Sequence, residues 1–184
     1  MKVLHLLRHA KSDWTQPGPG QPALHDHDRP LARRGRDAAR DMATHVRATG
    51  LRPGLVLCST ALRARETLAL VRVGLPPGTK AVEEDDLYLC GGAALLERIR
   101  NAPDEVGELL VVGHNPDLEQ LAGSLAGTGD PALLQTLRDK YPTGALATIA
   151  LPINQWADTR PGIGRLTAFV RPHDLKGDVA GAED

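Results

Sequence analysis

Aromatic residues are scarce in this chain of 184 residues: they make up 3% of it, and two of them are tryptophan. Proteins that bind single-stranded nucleic acid stack the bases on aromatic rings, so this scarcity argues against a nucleic-acid partner. Cysteine is equally rare, and Cys58 and Cys90 do not form a Cys-x-x-Cys motif. We therefore expect neither a disulfide framework nor a structural zinc site, and a reducing compartment is favoured.

The sequence also lacks an apolar run long enough to cross a membrane, and Arg8 interrupts the apolar run nearest the N-terminus. These absences predict a cytoplasmic protein with no secretory signal and no membrane partner. Charge of either sign is nearly balanced overall, but residues 1–65 hold 12 Lys and Arg against 5 Asp and Glu, whereas residues 66–130 hold 4 against 12. The basic first third is suited to an anionic ligand, although basic residues scattered along helices are more often a solvated face.

Hydrophobic residues make up 41% of the chain and charged residues 24%, which is typical of a globular domain. Short apolar runs alternate with segments of helical periodicity, and this alternation predicts a three-layer α/β/α sandwich, with a mostly parallel central sheet and helices on both faces. The predicted strands lie at residues 3–7, 55–58, 109–112, 145–151 and 166–170. Residues 127–131 are predicted to form a turn, and the polar, glycine-rich residues 172–184 a flexible tail.

Charged and polar residues follow the predicted strands where each strand ends. Arg8 and His9 come directly after the first strand, and His114 comes after the third. Ligands of open α/β sheets bind outside the carboxyl ends of the strands, so these side chains are candidates for one site. An isolated Arg-His pair such as Arg8-His9 more often marks a chain that simply enters solvent, and a lone His114 is commonly a satisfied structural histidine.

Arg63 begins the helix that follows the second strand, where a cation opposes the helix dipole. An anion in front of the strands would account for Arg63, and so would a solvent-facing side chain or a salt bridge to Glu66 or Glu83. Two guanidinium groups and a histidine around one space suit a phosphoryl group, whose transfer needs charge neutralisation and an in-line nucleophile. His9 is the predicted nucleophile, with Arg8, Arg63 and His114 around the phosphoryl group.

Three sequence blocks resemble those of a known family. They are residues 6–12 (Leu-Leu-Arg-His-Ala-Lys-Ser), residues 59–67 (Ser-Thr-Ala-Leu-Arg-Ala-Arg-Glu-Thr) and residues 112–115 (Val-Gly-His-Asn). In motif order and spacing the chain resembles the histidine phosphatase superfamily, also called phosphoglycerate mutase-like. Residues 11–14, 28–31 and 34–35 are similar to its small SixA-like phosphohistidine phosphatase branch. The resemblance implies a histidine phosphatase domain over residues 1–171.

The resemblance implies that His9 is the phosphorylated residue and that Arg8, Arg63 and His114 form the phosphate pocket, with Ser12 as a further substrate-binding residue. It implies a phosphatase that needs neither cofactor nor metal. The expected partner is a phosphorylated small molecule or a phosphohistidine-bearing protein, and we expect a monomer or weak dimer. A small-molecule phosphomonoesterase and a non-catalytic phosphate-binding module remain alternatives.

The general acid of larger family members has no clear counterpart in this sequence. The candidates are the carboxylates of one acidic run: Glu83, Glu84, Asp85 and Asp86. Such a run is usually a solvated loop. A second cluster, His25-Asp26-His27-Asp28, has the residue types of metal ligands, but its alternation within a loop lacks the spacing of a preformed site, so no metal is predicted.

Overall fold

The computed structural model describes residues 1–176 as a sheet of seven strands between two layers of helices. The strands are β1 Lys2–Arg8, β2 Leu55–Ser59, β3 Ala81–Glu84, β4 Glu108–Gly113, β5 Ala126–Gly129, β6 Leu146–Leu151 and β7 Gly164–Val170. They lie side by side in the order β3-β2-β4-β1-β6-β7-β5. Four of the pairings are parallel, and only those of β6 with β1 and β7 are antiparallel. The predicted α/β class and mostly parallel sheet are confirmed.

The helices pack on the sheet as two groups. They are α1 Arg33–Thr49, α2 Leu62–Val71, α3 Gly92–Arg100, α4 Asp117–Leu125 and α5 Pro131–Asp139. Helices α1 and α2 contact each other, and so do α3 and α4. Each group covers its own apolar core, so the predicted three layers are present.

Alternate residues of the strands supply the two cores. Leu109 and Val111 of β4 belong to the core under α3, α4 and α5, whereas Leu110 and Val112 belong to the core under α1 and α2. Successive side chains of a strand point to opposite faces, so a strand covered on both sides must be apolar throughout. This requirement explains the continuous apolar runs from which the central strands were predicted.

The register of the parallel strands places the site. Arg8 at the end of β1 pairs with Gly113 at the end of β4, and Cys58 of β2 pairs with Val112. The three strands therefore end at the same edge of the sheet, and the residues that follow them meet there. The carbonyl oxygen of His9 also accepts a hydrogen bond from the backbone of Gly144, which holds the segment before β6 beside it.

Two strands were missed by the sequence analysis. Residues 81–84 form β3, although they begin the acidic run that was expected to be a loop, and residues 126–129 form β5, where a turn was expected at 127–131. Both lie at the edges of the sheet, where one side of the strand is unpaired and a continuous apolar run is not required.

The predicted tail is partly described. A short 3₁₀ helix spans Asp174–Lys176, and Leu175 packs against the core under α1 and α2. Arg171 forms an ion pair with Asp174. The rest of the predicted tail, residues 177–184, lies outside the described residues.

Substitution of Gly35 by alanine is expected to destabilise the fold, because a Cβ there would lie 2.0 Å from the carbonyl oxygen of Lys11. Overpacking of this kind costs about 1–3 kcal/mol in the free energy of unfolding. Gly123 on α4 is the matched control, since it is exposed and a Cβ there meets no atom within 4 Å. Gly123→Ala should be neutral or stabilising by up to about 1 kcal/mol. Chemical denaturation of both variants measures the difference, and equal stabilities would contradict the close packing of α1 on Lys11.

Candidate active site

The four predicted phosphate-site residues line one pocket of about 440 Å³ at the carboxyl edge of the sheet. Arg8 ends β1, His9 follows it, Arg63 stands in the first turn of α2, and His114 follows β4. The rings of His9 and His114 are 5.2 Å apart between centroids. Ser12 lines the same pocket. The structure thus brings together all five residues that the sequence analysis assigned to the site.

His9 is held with one ring nitrogen engaged. Its Nδ1 lies 2.7 Å from the carbonyl oxygen of Ala10, which can only accept a hydrogen bond, so Nδ1 carries the hydrogen and Nε2 is unprotonated. The Nε–H of Arg63 points at this Nε2 at 3.4 Å. Burial of the ring lowers the pKa of His9 to about 3, with the charges of His114 and the two arginines acting in the same direction. A neutral imidazole with an unprotonated Nε2 is the form required of a nucleophile.

His114 lies beside His9 and is almost fully buried. Its Nε2 is 2.8 Å from the hydroxyl of Ser59, the last residue of β2. Burial lowers the pKa of His114 to about 4, with the positive charges of Arg63 and Arg8 acting in the same direction. Its Nδ1 has no hydrogen-bond partner among the described residues.

Like His114, Arg8 has a buried polar atom, Nε, that has no hydrogen-bond partner in the described part of the chain. Its Nη1 donates to the carbonyl oxygen of Tyr141 at 2.8 Å, whereas its Nε is unpaired. Burial is the main cause that lowers the pKa of this guanidinium. Unpaired buried donors are costly, and a tetrahedral oxyanion in the pocket would supply acceptors for Arg8.

Asp26 is a site residue that the sequence analysis missed. Arg63 donates from Nη1 to the backbone oxygen of Asp26 at 2.7 Å and from Nη2 to its carboxylate at 3.0 Å. The Asp26 carboxylate also accepts from the hydroxyl of Tyr88 and from Arg29. Burial raises the pKa of Asp26, but these hydrogen bonds and the charge of Arg63 outweigh it and hold the pKa well below its usual range. Asp26 is therefore ionised and orients Arg63.

The salt bridges considered for Arg63 in the sequence analysis are wrong. Glu83 pairs with Arg65 at 3.1 Å, and the carboxylate of Glu66 accepts from the backbone of Leu31. No signal in the sequence separates Asp26 from Asp28 as the partner, because the two lie in a loop without periodicity. Arg29 connects Asp26 to Ser12, because its guanidinium donates to the Asp26 carboxylate and to the Ser12 hydroxyl.

The acidic run lies outside the pocket. Glu84 forms a two-point ion pair with Arg98, and Asp85 accepts from the hydroxyl of Thr60 at 2.6 Å. None of its four candidate general acids is among the residues that line the pocket. The pocket's carboxylate is that of Asp26.

Residues 1–176 contain neither a cluster of potential metal ligands nor a helix that could span a membrane. Within that range, no group of three or more His, Cys, Asp or Glu side chains is arranged to hold a metal ion. In the same range, none of the helices combines the length and the apolar character that crossing a membrane requires. His27 of the histidine-aspartate cluster instead contacts the hydroxyl of Thr60 at 2.9 Å.

Residues 4–88 match the model of the histidine phosphatase superfamily, branch 1. Over 169 residues the chain is 37% identical to an uncharacterized protein of Mycobacterium tuberculosis strain H37Rv, covering 90% of this chain and 99% of that protein. A protein of Mycobacterium leprae is 33% identical over 167 residues, with the same coverage. The chain therefore belongs to the histidine phosphatase superfamily and is a phosphatase.

Solved structures refine this assignment. A protein from Nakamurella multipartitia described as phosphohistidine phosphatase SixA superposes with a TM-score of 0.77 at 27% identity, covering 93% of this chain and 96% of that one. The corresponding protein of Agrobacterium tumefaciens gives a TM-score of 0.73 at 30% identity, with 93% and 98% covered. A SixA protein histidine phosphatase complexed with tungstate gives 0.69 at 25% identity, with 94% and 99% covered. Within the superfamily, the chain falls in the SixA-like branch.

Acidification is expected to destabilise the fold through His9 and His114. In the unfolded chain these histidines bind protons near pH 6.5, whereas in the fold burial lowers their pKa to about 3 and about 4. The unfolded state thus binds more protons below pH 6.5, so the free energy of unfolding falls with pH in that window, by up to about 1.4 kcal/mol per pH unit for each histidine. Denaturation at about pH 7.5 and pH 5 measures the loss.

The variant His114→Gln should lose less stability over this pH range than the wild type. The exposed His173, whose side chain is 67% accessible, provides the control, and His173→Gln should behave as the wild type. Identical pH dependence in wild type and His114→Gln would show that His114 is not held neutral by the fold.

Proposed function

We propose that this phosphatase acts through a covalent phosphohistidine intermediate on His9, without a metal ion, and that its substrate is phosphohistidine in a protein. The observation that carries the proposal is the hydrogen bond from His9 Nδ1 to the Ala10 carbonyl, which leaves Nε2 unprotonated, with the Nε–H of Arg63 directed at it. The relation to the protein solved with tungstate, a tetrahedral oxyanion, supports a phosphate-like ligand.

In the first step the lone pair of His9 Nε2 attacks phosphorus, the bond from phosphorus to the leaving group breaks, and the leaving group departs with the electron pair. In the second step water attacks phosphorus, the bond from phosphorus to Nε2 breaks, and inorganic phosphate and a proton are released. Arg8 and Arg63 neutralise the charge that spreads over the phosphoryl oxygens, which is the role of metal ions in many phosphoryl-transfer sites.

His114 is assigned to a phosphoryl oxygen. The Ser59 hydroxyl oxygen accepts from the backbone of Ala61 at 3.2 Å, and its hydrogen is then free to point at His114 Nε2. With Nε2 as acceptor, the ring hydrogen lies on Nδ1, the atom that has no partner in the described residues. His114 would therefore donate from Nδ1 in the neutral state that its lowered pKa favours.

Leaving-group chemistry favours phosphohistidine over alkyl phosphates. When the second ring nitrogen of phosphohistidine carries a proton, the ring leaves as neutral imidazole, whose conjugate acid has a pKa near about 6.5. An alkoxide is far more basic and needs a proton from a general acid. The carboxyl that lines this pocket, Asp26, is held ionised and is unsuited to that task. A small-molecule aryl phosphomonoesterase is the second candidate, because an aryloxide also leaves without a strong acid.

The intermediate can be trapped on His9. Brief incubation with a labelled phosphoramidate should leave acid-labile phosphate on the wild-type protein. The variant His9→Ala should show no such label and at least about a thousandfold lower turnover, because the nucleophile is gone. His173→Ala, which changes an exposed histidine, serves as the control and should label normally. An unlabelled wild type that still binds phosphate would identify a binding module instead.

The acidic run is expected to be dispensable for aryl phosphates and phosphohistidine. Glu83→Gln and Asp86→Asn change exposed carboxylates outside the pocket, so each should keep turnover within about twofold of wild type. Rates on phosphohistidine, an aryl phosphate and an alkyl phosphate should fall in the order of leaving-group basicity. A hundredfold loss in either variant would restore the acidic run as the proton source, and equal rates on all three substrates would contradict the leaving-group argument.

A further inference from the structure

Beside the catalytic pocket lies a second, larger depression of about 600 Å³, which we call the Trp14 groove. Its walls include Trp14, Pro17, Pro22, Leu24, Asp26 and Arg29. Trp14, Asp26 and Arg29 line the catalytic pocket as well. The two spaces therefore share a wall, and a molecule that places its phosphoryl group against His9 extends naturally into the groove.

Exposed apolar side chains cluster around these two spaces. The described residues include five large hydrophobic side chains that are exposed, and three of them line the groove or the catalytic pocket: Trp14, Leu24 and Leu89. Trp14 is 70% exposed and Leu24 is 64% exposed. Leu89 has a φ of 51°, a strained backbone conformation that is found in no other non-glycine residue of the described chain. Exposed apolar patches of this kind mark interaction surfaces.

Trp14 is held in place by the catalytic pocket. The guanidinium of Arg29 lies 3.5 Å from the centroid of the Trp14 ring, and the same guanidinium donates to Ser12 and Asp26. The carboxylate of Asp13 accepts from the backbone and hydroxyl of Thr15, and these hydrogen bonds hold the backbone on both sides of Trp14. An aromatic ring that is already oriented loses little conformational freedom when a ligand binds, so it contributes efficiently to affinity.

We infer that the Trp14 groove binds the polypeptide that flanks the phosphohistidine of a substrate protein, and that it selects segments with apolar side chains there. The inference rests on the proposed function and names the surface that recognises its substrate. The groove is larger than the catalytic pocket, so an isolated imidazole ring would leave most of it empty. Its exposed Trp14 and Leu24 match apolar side chains, which lose contact with water when they dock there.

Substitution of the groove residues tests this inference. The measurement is kcat/KM for a phosphohistidine peptide with apolar neighbours, relative to kcat/KM for phosphoramidate, which carries no polypeptide. In Trp14→Ala this ratio should fall by about tenfold or more, mainly through KM, because one buried aromatic contact is worth about that factor. Leu24→Ala should lower the ratio in the same direction by a smaller factor.

Val73 provides the matched control. Its side chain is 65% exposed and lines neither the groove nor the catalytic pocket, so Val73→Ala should leave the ratio at the wild-type value. An unchanged ratio in Trp14→Ala and Leu24→Ala, or loss of both substrates by the same factor, would overturn the inference. Replacing the apolar neighbours in the peptide by charged residues should likewise lower the wild-type ratio.

A binding experiment separates failure of this inference from failure of the proposed function. The catalytically inactive His9→Ala protein is titrated with the same phosphopeptide by calorimetry, and the titration is repeated with the additional Trp14→Ala change. Weaker binding after the additional change supports the groove even where the wild type does not hydrolyse the peptide, a result that would count against the proposed function alone. Hydrolysis of the peptide with equal binding by both proteins would overturn the groove and leave the function standing.

Discussion

The parallel pairing of β1 with β4 is the constraint on which the site depends. Arg8 is in register with Gly113, and each of them is followed by a histidine. The register therefore brings the ring centroids of His9 and His114 to 5.2 Å from each other, although the two residues are 105 positions apart in the chain. A shift of the register by one residue would turn every side chain of β1 to the opposite face and remove Leu4 and Leu6 from the core that they fill. The apolar cores on the two faces of the sheet therefore fix the distance between the two histidines, and no further interaction is needed to bring them together.

The charges in the pocket depend on how closely these side chains are placed. Two guanidinium groups stand beside two buried histidines, and burial with this positive charge keeps both rings neutral. Asp26 compensates part of the charge, and it binds Arg63 only through Nη1 and Nη2, so that Nε remains directed at His9. An incoming phosphoryl dianion thus meets fixed positive charge together with an unprotonated nucleophile. A protonated His9 would bind the anion well and could not attack it, so the low pKa is as necessary to the proposed chemistry as the arginines are.

The parts that sequence reasoning could predict are those in which one physical requirement dominates the choice of residues. Central strands such as β4 must be apolar on both faces, and their runs were therefore visible. The edge strands β3 and β5 have no such requirement, since their outer sides are unpaired, and β5 contains two glycines. Both strands were therefore missed. The pairing of Arg63 with Asp26 joins α2 to a short 3₁₀ helix, Asp26–Asp28, that lies 37 residues earlier in the chain, and no periodicity links them. A buried arginine needs a counter-ion, but the sequence does not tell which of many carboxylates meets that need.

The position of the carboxylates also bears on which substrates the pocket can serve. A carboxyl group donates a proton efficiently when its pKa lies near the working pH, which burial without a cationic partner would produce. The carboxylate that lines the pocket is held in the opposite way, because Asp26 is bound by Arg63, Arg29 and Tyr88. The hydrogen bonds that orient Arg63 are the same ones that keep Asp26 ionised. Strong anion binding and general-acid catalysis thus make opposite demands on Asp26, and the proposed substrates are accordingly those whose leaving group departs without a proton from this carboxylate.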